Sequence, residues 1–313
     1  MSDAYDRVRE VGRKVSNWGR WGSDDEVGTL NLITAEARAR GASAVSTGRS
    51  FTLGLDIGPR GPQPMESPIG RFNPLHYMIA IGASWGEPPV FHYSDDVLVL
   101  PTQSGTQWDS LAHVHYDGLL YNGFRADEVL TSAGAARNGS DKQARTAVVT
   151  RGILLDIARL KEVERLEPGA LITSDDLDAA CQAARVTVEP GDILLIRTGH
   201  ITRFTVDQDR DVFNWQTPGV GLDSVPWFRE RDVAAVATDT PNFEVLPGED
   251  PAVISPVHLA AIRDMGMPLG EIFDLEALAS ACADDGSSEF LFTAQPLPIT
   301  GGIGSPVNPV AVK

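Results

Sequence analysis

Two short apolar runs, Gly152-Ile-Leu-Leu-Asp156 and Asp192-Ile-Leu-Leu-Ile-Arg197, frame one segment of helical spacing. Both are bounded by turn or polar residues and are too short for helices, so they read as buried strands. Between them, Thr173-Ser174 caps a helix predicted over Asp175–Arg185, where Leu177, Ala180, Cys181 and Ala184 share a face. Asp232–Thr238 is a further strand, and Asp96-Val-Leu-Val-Leu100 reads as a buried one ending at Pro101. Phe51–Ile57 alternates as a strand does, and Glu289–Thr293 is expected to be the last strand before a Gly/Pro-rich tail. Helices are predicted over Ala35–Val45, capped by Thr34, over Pro256–Met265 and over Glu276–Ala283. Strands separated by single helices predict an α/β fold: a single domain with a mixed β-sheet flanked by helices.

No shift in composition marks a second domain. Residues 1–23 are polar, with Trp18 and Trp21 among Gly and Arg, and are expected to form an N-terminal arm that contacts a neighbouring subunit. Residues 24–313 then make up the catalytic domain. Residues 58–74, rich in proline and glycine, are expected to form a long loop, in the manner of a lid or a substrate wall.

Charge narrows the function classes. With 26 Lys and Arg against 43 Asp and Glu, the net charge of −17 repels phosphate backbones and anionic headgroups. Neither a nucleic-acid partner nor a membrane partner is expected, and the remaining partner class is a small-molecule substrate. The N-terminus carries no apolar run and no segment has the length of an apolar membrane span, so a cytoplasmic location is expected. The two cysteines, Cys181 and Cys282, lack metal-type spacing and read as packed thiols.

The polar residues that can carry chemistry crowd into Gln103-Ser-Gly-Thr-Gln107-Trp-Asp109-Ser-Leu-Ala-His113-Val-His115. If Asp109 opens a helical turn, His113 shares its face and His115 points elsewhere. His258 lies in the first turn of a predicted helix, and Glu271 follows 13 residues later. Asp239-Thr-Pro-Asn242 ends the strand over Asp232–Thr238, where α/β sheets tend to bind ligands; it is also good turn chemistry, and both readings stand. His76, His92 and His200 have no partner pattern.

The 103–113 segment resembles the metal-binding motif of the cyclase family, which includes bacterial kynurenine formamidase and isatin hydrolase. The family hallmark is His-x-Gly-Thr-His-x-Asp-x-Pro-x-His. Gly105-Thr106, Asp109 and His113 match it, whereas Gln103 and Gln107 stand at its first two histidines and Leu111 at its proline. The resemblance extends over Gly28-Thr-Leu-Asn31-Leu-Ile-Thr34, Asp239-Thr-Pro, the pair His258 and Glu271, and Pro296–Pro306. It marks a Gly-Thr-Gln-Trp-Asp branch with a swivelling β/β/α-like fold.

The resemblance implies a hydrolase acting on an aryl formamide, a cyclic amide or imide, or a lactone. It implies a divalent metal held by Gln107, Asp109, His258 and Glu271, with His113, Asp109 and Glu271 as catalytic groups. It also implies a homodimer or homotetramer. Amide oxygens at 103 and 107 weaken zinc binding and favour harder ions, so manganese and zinc are both expected candidates, with magnesium a third. Gln103, Trp108, Phe72 and Asp239 are the expected substrate-binding residues, the two aromatics as a wall for a planar ring. Two other readings stay open: metal-independent acid–base catalysis on the same fold, and a non-catalytic ligand-binding protein.

Overall fold

Ile193–Arg197 lies at the centre of a nine-stranded sheet, and its side chains alternate between two cores. Leu194 and Ile196 pack on one face and Ile193 and Leu195 on the other, all fully buried. A strand covered on both faces carries an unbroken apolar run, which is why the run itself was the clearest signal. The computed structural model describes residues 4–64 and 66–313; residues 1–3 of the expected arm and Met65 of the 58–74 loop lie outside the described residues.

Two-residue ladders aside, the strands are β1 (Ser50–Thr52), β2 (Leu75–Trp85), β3 (Phe91–Val99), β4 (Gln107–Asp109), β5 (Val149–Asp156), β6 (Ile193–Arg197), β7 (Ala235–Thr238), β8 (Leu269–Glu271), β9 (Glu289–Thr293), β10 (Gly304–Pro306) and β11 (Val310–Val312). The sheet order is β1-β11-β9-β5-β6-β7-β8-β4-β10. Its central four strands, β5 to β8, are parallel, and every pairing outside them is antiparallel. The sheet is therefore mixed, as expected.

The principal helices are α1 (Asp6–Val15), α2 (Ala35–Ser43), α3 (Ser174–Ala184) and α4 (Glu276–Asp285). Thr34 caps α2 by accepting from Ala37 N, and Thr173 and Asp176 form a reciprocal capping box on α3. The helix expected over Pro256–Met265 is present, but only Pro256–His258 is α-helical; Leu259–Met265 is a π-helix. No helix among the described residues is long and apolar enough to cross a membrane.

Three strand expectations need correction. Phe51–Ile57 narrows to β1. The Gly/Pro-rich tail is not free of strands: β10 pairs with β4 at one edge of the sheet and β11 lies between β1 and β9 near the other. These three-residue strands are too short for periodicity to show. Asp96–Leu100 does contribute to a strand, β3, but an exposed one, paired only with β2 in a hairpin outside the main sheet.

The described part of the N-terminal arm, residues 4–23, carries α1 over Asp6–Val15. Val8, Val11 and Val15 of α1 are buried in the core of their own chain with Ala261 and Met265, and the Trp18 ring lies 4.4 Å from the Arg263 guanidinium. A buried ion network ties the elements together where β6 begins. Asp192, fully buried, accepts from Arg151 Nη2 at 2.6 Å and Nε at 3.1 Å, and from Arg40 Nη2 on α2 at 3.0 Å. Arg151 in turn reaches Glu289 of β9 at 2.5 Å.

A candidate metal centre at the strand ends

Backbone pairing brings distant residues together. β4 runs antiparallel to β8 with Gln107 opposite Glu271, and strand alternation sends Gln107 and Asp109 to one face and Trp108 to the other. Glu271 ends the parallel strand β8, the position where open α/β sheets present ligands. Asp109 ends β4 rather than opening a helix, and the polypeptide turns after it, with His113 N donating to Ser110 O at 3.0 Å. The turn nevertheless leaves His113 Nε2 3.8 Å from Asp109 Oδ1. His258 reaches in from its helix, Nε2 lying 3.2 Å from Glu271 Oε1 and 3.8 Å from Asp109 Oδ2.

Asp109, His258 and Glu271 are all buried, and one ligand atom of each lies within 4.8 Å of the others. A fourth group completes the arrangement. Glu244 accepts from His258 Nδ1 at 2.5 Å, fixing the ring so that Nε2 faces the two carboxylates. A carboxylate behind an imidazole in this way is the usual support of a metal-ligating histidine. Gln107 donates from Nε2 to Glu271 Oε2 at 2.9 Å, and its Oε1 has no hydrogen-bond partner among the described residues.

Electrostatics separate the two carboxyl groups. Burial, then the Glu271 charge, pushes Asp109 up to about 8. Burial also acts to raise Glu271, but the hydrogen bond and charge of His258 outweigh it and hold Glu271 below its ordinary value. Burial acts to lower His258, and the hydrogen bonds its ring donates to Glu244 and Glu271 override it, so its pKa lies well above the usual histidine value. His113 is pushed down to about 4 by burial, then by the charges of His258 and Arg71, and stands neutral. The pocket thus holds one carboxyl that resists ionisation, Asp109, beside an imidazole that favours its charged form, His258. Asp109 Oδ2, buried and without a hydrogen-bond partner among the described residues, is available as a ligand position. The donor set fits a divalent metal.

A cavity of about 180 Å³ adjoins this group, with His113, His258 and Glu271 in its wall. Arg71, Trp215 and Asn242 complete the parts of the lining that bear on chemistry. Arg71 comes from the proline-rich loop, which is indeed a wall of the site; no hydrogen bond or ion pair engages its guanidinium among the described residues.

Four expected substrate contacts do not hold. Trp108 packs edge-on against Phe273 at 5.5 Å between centroids and donates from Nε1 to Ala294 O, so it belongs to the core on the far side of the sheet. Phe72 is exposed and does not line the cavity, its neighbour Arg71 taking that place. Asp239 is fully buried and spends its oxygens on Thr198 N, Thr198 Oγ1 and Gly199 N, bracing the ends of β6 and β7. Gln103 is buried beside Gly304 with Oε1 accepting from Thr102 Oγ1, away from the cavity. His115 is exposed and does not line the cavity, pointing elsewhere than His113.

The cyclase family model matches residues 58–245, more than half of the chain. The chain belongs to the cyclase family. A crystal structure of a novel cyclase is 38% identical, covers 96% of this chain and 99% of its own, and superposes with a TM-score of 0.87. Isatin hydrolase A from Labrenzia aggregata is 18% identical over 86% of this chain and 94% of its own, with a TM-score of 0.62. A predicted metal-dependent hydrolase from Bacillus stearothermophilus is 15% identical over 84% and 97%, with a TM-score of 0.51. At that identity the last two establish the fold alone. No curated protein matches the chain. His258 and Glu271 lie beyond the segment matched by the cyclase model, and the architecture of this cyclase-family chain returns them to Asp109.

Proposed function

We propose that this cyclase-family enzyme is a metal-dependent hydrolase of an amide, cyclic amide or imide, or lactone carbonyl in a small cyclic or aromatic substrate. The observation that carries the reading is the buried Asp109–His258–Glu271 group, with His258 and Glu271 in the wall of the cavity and Glu244 behind the imidazole. Fold likeness to isatin hydrolase supports the substrate class. The donor set, rich in oxygen, favours manganese over zinc and leaves magnesium as a third candidate. Bound there, the cation supplies an acidified water and a Lewis acid for the substrate carbonyl.

The protein groups have separate tasks. Gln107 Nε2 holds Glu271 Oε2 in place, and Glu244 holds the His258 ring. Neutral His113, with Nδ1 unpartnered among the described residues, carries a proton to the leaving group. Arg71 faces the negative charge that develops on the carbonyl oxygen. Trp215 offers the flat apolar wall that Trp108 and Phe72 do not.

Elemental mass spectrometry before and after chelation, combined with hydrolysis of an amide and lactone panel, tests the proposal. One equivalent of metal and activity lost with it are expected. Hydrolysis that survives complete chelation would replace it with metal-independent acid–base catalysis. The observation favouring that second reading is the unequal proton affinity of Asp109 and Glu271, a pattern that divides acid from base in carboxylate pairs.

Two variants refine the site. Gln107→His is expected to raise zinc affinity by about 10-fold or more, since an imidazole nitrogen replaces an amide oxygen beside Glu271. Unchanged affinity in competition with a zinc-binding dye would show that position 107 does not face the metal. Arg71→Ala is expected to lower kcat/KM by about 10²-fold with metal content unaltered. Wild-type kinetics in that variant would remove Arg71 from the reaction.

A further inference from the structure

Arg71 reaches the cavity from a stretch of loop with little to hold it. From Ser67 to Phe72 the single backbone hydrogen bond among the described residues runs from Gly70 N to Ser67 O, at 3.1 Å. The place of the guanidinium therefore depends on how the two ends of the loop are fixed. Those ends are tied to each other: Gln63 N donates to Asn73 Oδ1 and Asn73 Nδ2 to Gln63 O, both at 2.9 Å. The reciprocal pair closes residues 63–73 at their base. Gln63 Nε2 fastens that base to Ser104 O, just ahead of β4, at 3.2 Å.

A short helix, Arg210–Trp215, fastens the foot of the same loop. Arg210 donates from Nη2 to Arg60 O at 3.1 Å and from Nε to Gly61 O at 3.0 Å. Asn214 donates from Nδ2 to Pro62 O at 2.8 Å. Arg210 and Asn214 are four residues apart and share a helix face, so one turn satisfies three consecutive carbonyls. Prolines at 59, 62 and 64 leave the loop few N–H groups that could do so from within.

The helix is itself firmly seated. Phe213 is fully buried and stacks on His200 at 5.4 Å between centroids, and His200 Nε2 donates to Phe213 O at 3.0 Å. His200 follows Thr198 and Gly199, the two residues that Asp239 braces at the end of β6. The Arg210 guanidinium lies 5.0 Å from the centre of the Phe204 ring, which fixes the direction of its fork. A continuous path of contacts thus runs from the strand ends, through this helix, to the foot of the loop.

We propose, on the reading of the site as a hydrolase, that Arg210 is a positioning residue for Arg71. Its fork on the carbonyls of Arg60 and Gly61, with Asn214 on that of Pro62, sets the loop so that the Arg71 guanidinium meets the reacting carbonyl oxygen. Trp215 and Asn214 of the same helix line the cavity, so the apolar wall and the charged group hang on one mount and keep their spacing. Misplacing a charge-stabilising group by about 1 Å costs up to about 10²-fold in rate, which is why the mount matters.

Arg210→Met keeps the apolar stem beside Phe204 and removes both donors. It is expected to lower kcat by about 10-fold with KM within about 2-fold of wild type. In an Arg71→Ala background the same exchange should lower kcat no further, because the group it positions is gone. Arg210→Lys, able to keep one of the two bonds, should fall between wild type and Arg210→Met, and it provides the same readouts should Arg210→Met fail to fold. Tryptic cleavage after Arg71 in the folded chain, followed by mass spectrometry, should speed up by about 5-fold in Arg210→Met. Equal losses of kcat in both backgrounds, or cleavage at the wild-type rate, would overturn the assignment. Cleavage needs no substrate: a wild type that hydrolysed nothing would refute the proposed activity, while faster cleavage in the variant would still establish the mount.

Discussion

Asp109→Asn is expected to lower kcat/KM by about 10³-fold or more while leaving the fold intact. The exchange is isosteric at a fully buried position, so packing against the neighbouring strands is preserved. Burial already raises the Asp109 pKa to about 8, which means the pocket without metal favours a neutral side chain there. The sign follows directly: between the ordinary carboxylate range and pH 8 the folded protein binds this proton more tightly than the unfolded protein does, so this group's contribution to stability falls as pH rises. A permanently neutral amide therefore does not destabilise the fold near neutral pH. What it removes is the negative charge that a cation requires. Steady-state kinetics, elemental analysis and thermal melting together check this. Turnover and metal content both at wild-type levels would remove Asp109 from the site.

The largest stability effect is expected at the other end of the strands. Asp192→Ala leaves Arg151 and Arg40 without the buried carboxylate they share, at a cost of about 3–5 kcal/mol, because breaking one side of a buried ion pair strands the other charge. Residual solvent at Arg40 places the loss towards the lower end of that range. The corresponding drop in thermal midpoint is roughly 5 °C for a chain of this size. Below the transition, activity should remain near wild type, since Asp192 lies at the start of β6 and the site at the opposite ends of the parallel strands. A midpoint within a degree or two of wild type would show that the network contributes little.

Much of the fold was visible in residue order because its central strands are covered on both sides. Gly152–Asp156 and Asp192–Arg197 had to be apolar throughout, and Thr173 and Thr34 announced their helices through capping chemistry. The edges were not visible. β10 and β11 are three residues each and owe their strand character to neighbours, not to composition. Alternation and burial are different properties in β3: Val97 and Val99 look like core in the sequence, yet both are exposed in a hairpin outside the main sheet.

The site was legible where the family motif placed Asp109 and His113 and where His258 and Glu271 followed in order. Trp108 lay inside the motif, yet strand alternation turned its ring to the far side. Glu244 carried a weak signal, five residues past Asp239 at a strand end. Arg71 carried none that distinguishes it from Arg60 in the same loop, since only the path of the loop decides which guanidinium faces the cavity.

Glu244 also binds the first turn of the His258 helix, accepting from Val257 N at 2.9 Å and His258 N at 3.1 Å besides Nδ1 of the ring. One carboxylate thus stops the helix from fraying and aims its imidazole. Rigidity and aim are consequently inherited together: a lineage cannot loosen this corner to admit a bulkier substrate without also swinging the nitrogen that faces Asp109 and Glu271. Adaptation to new substrates should therefore accumulate on the opposite wall, in the proline-rich loop.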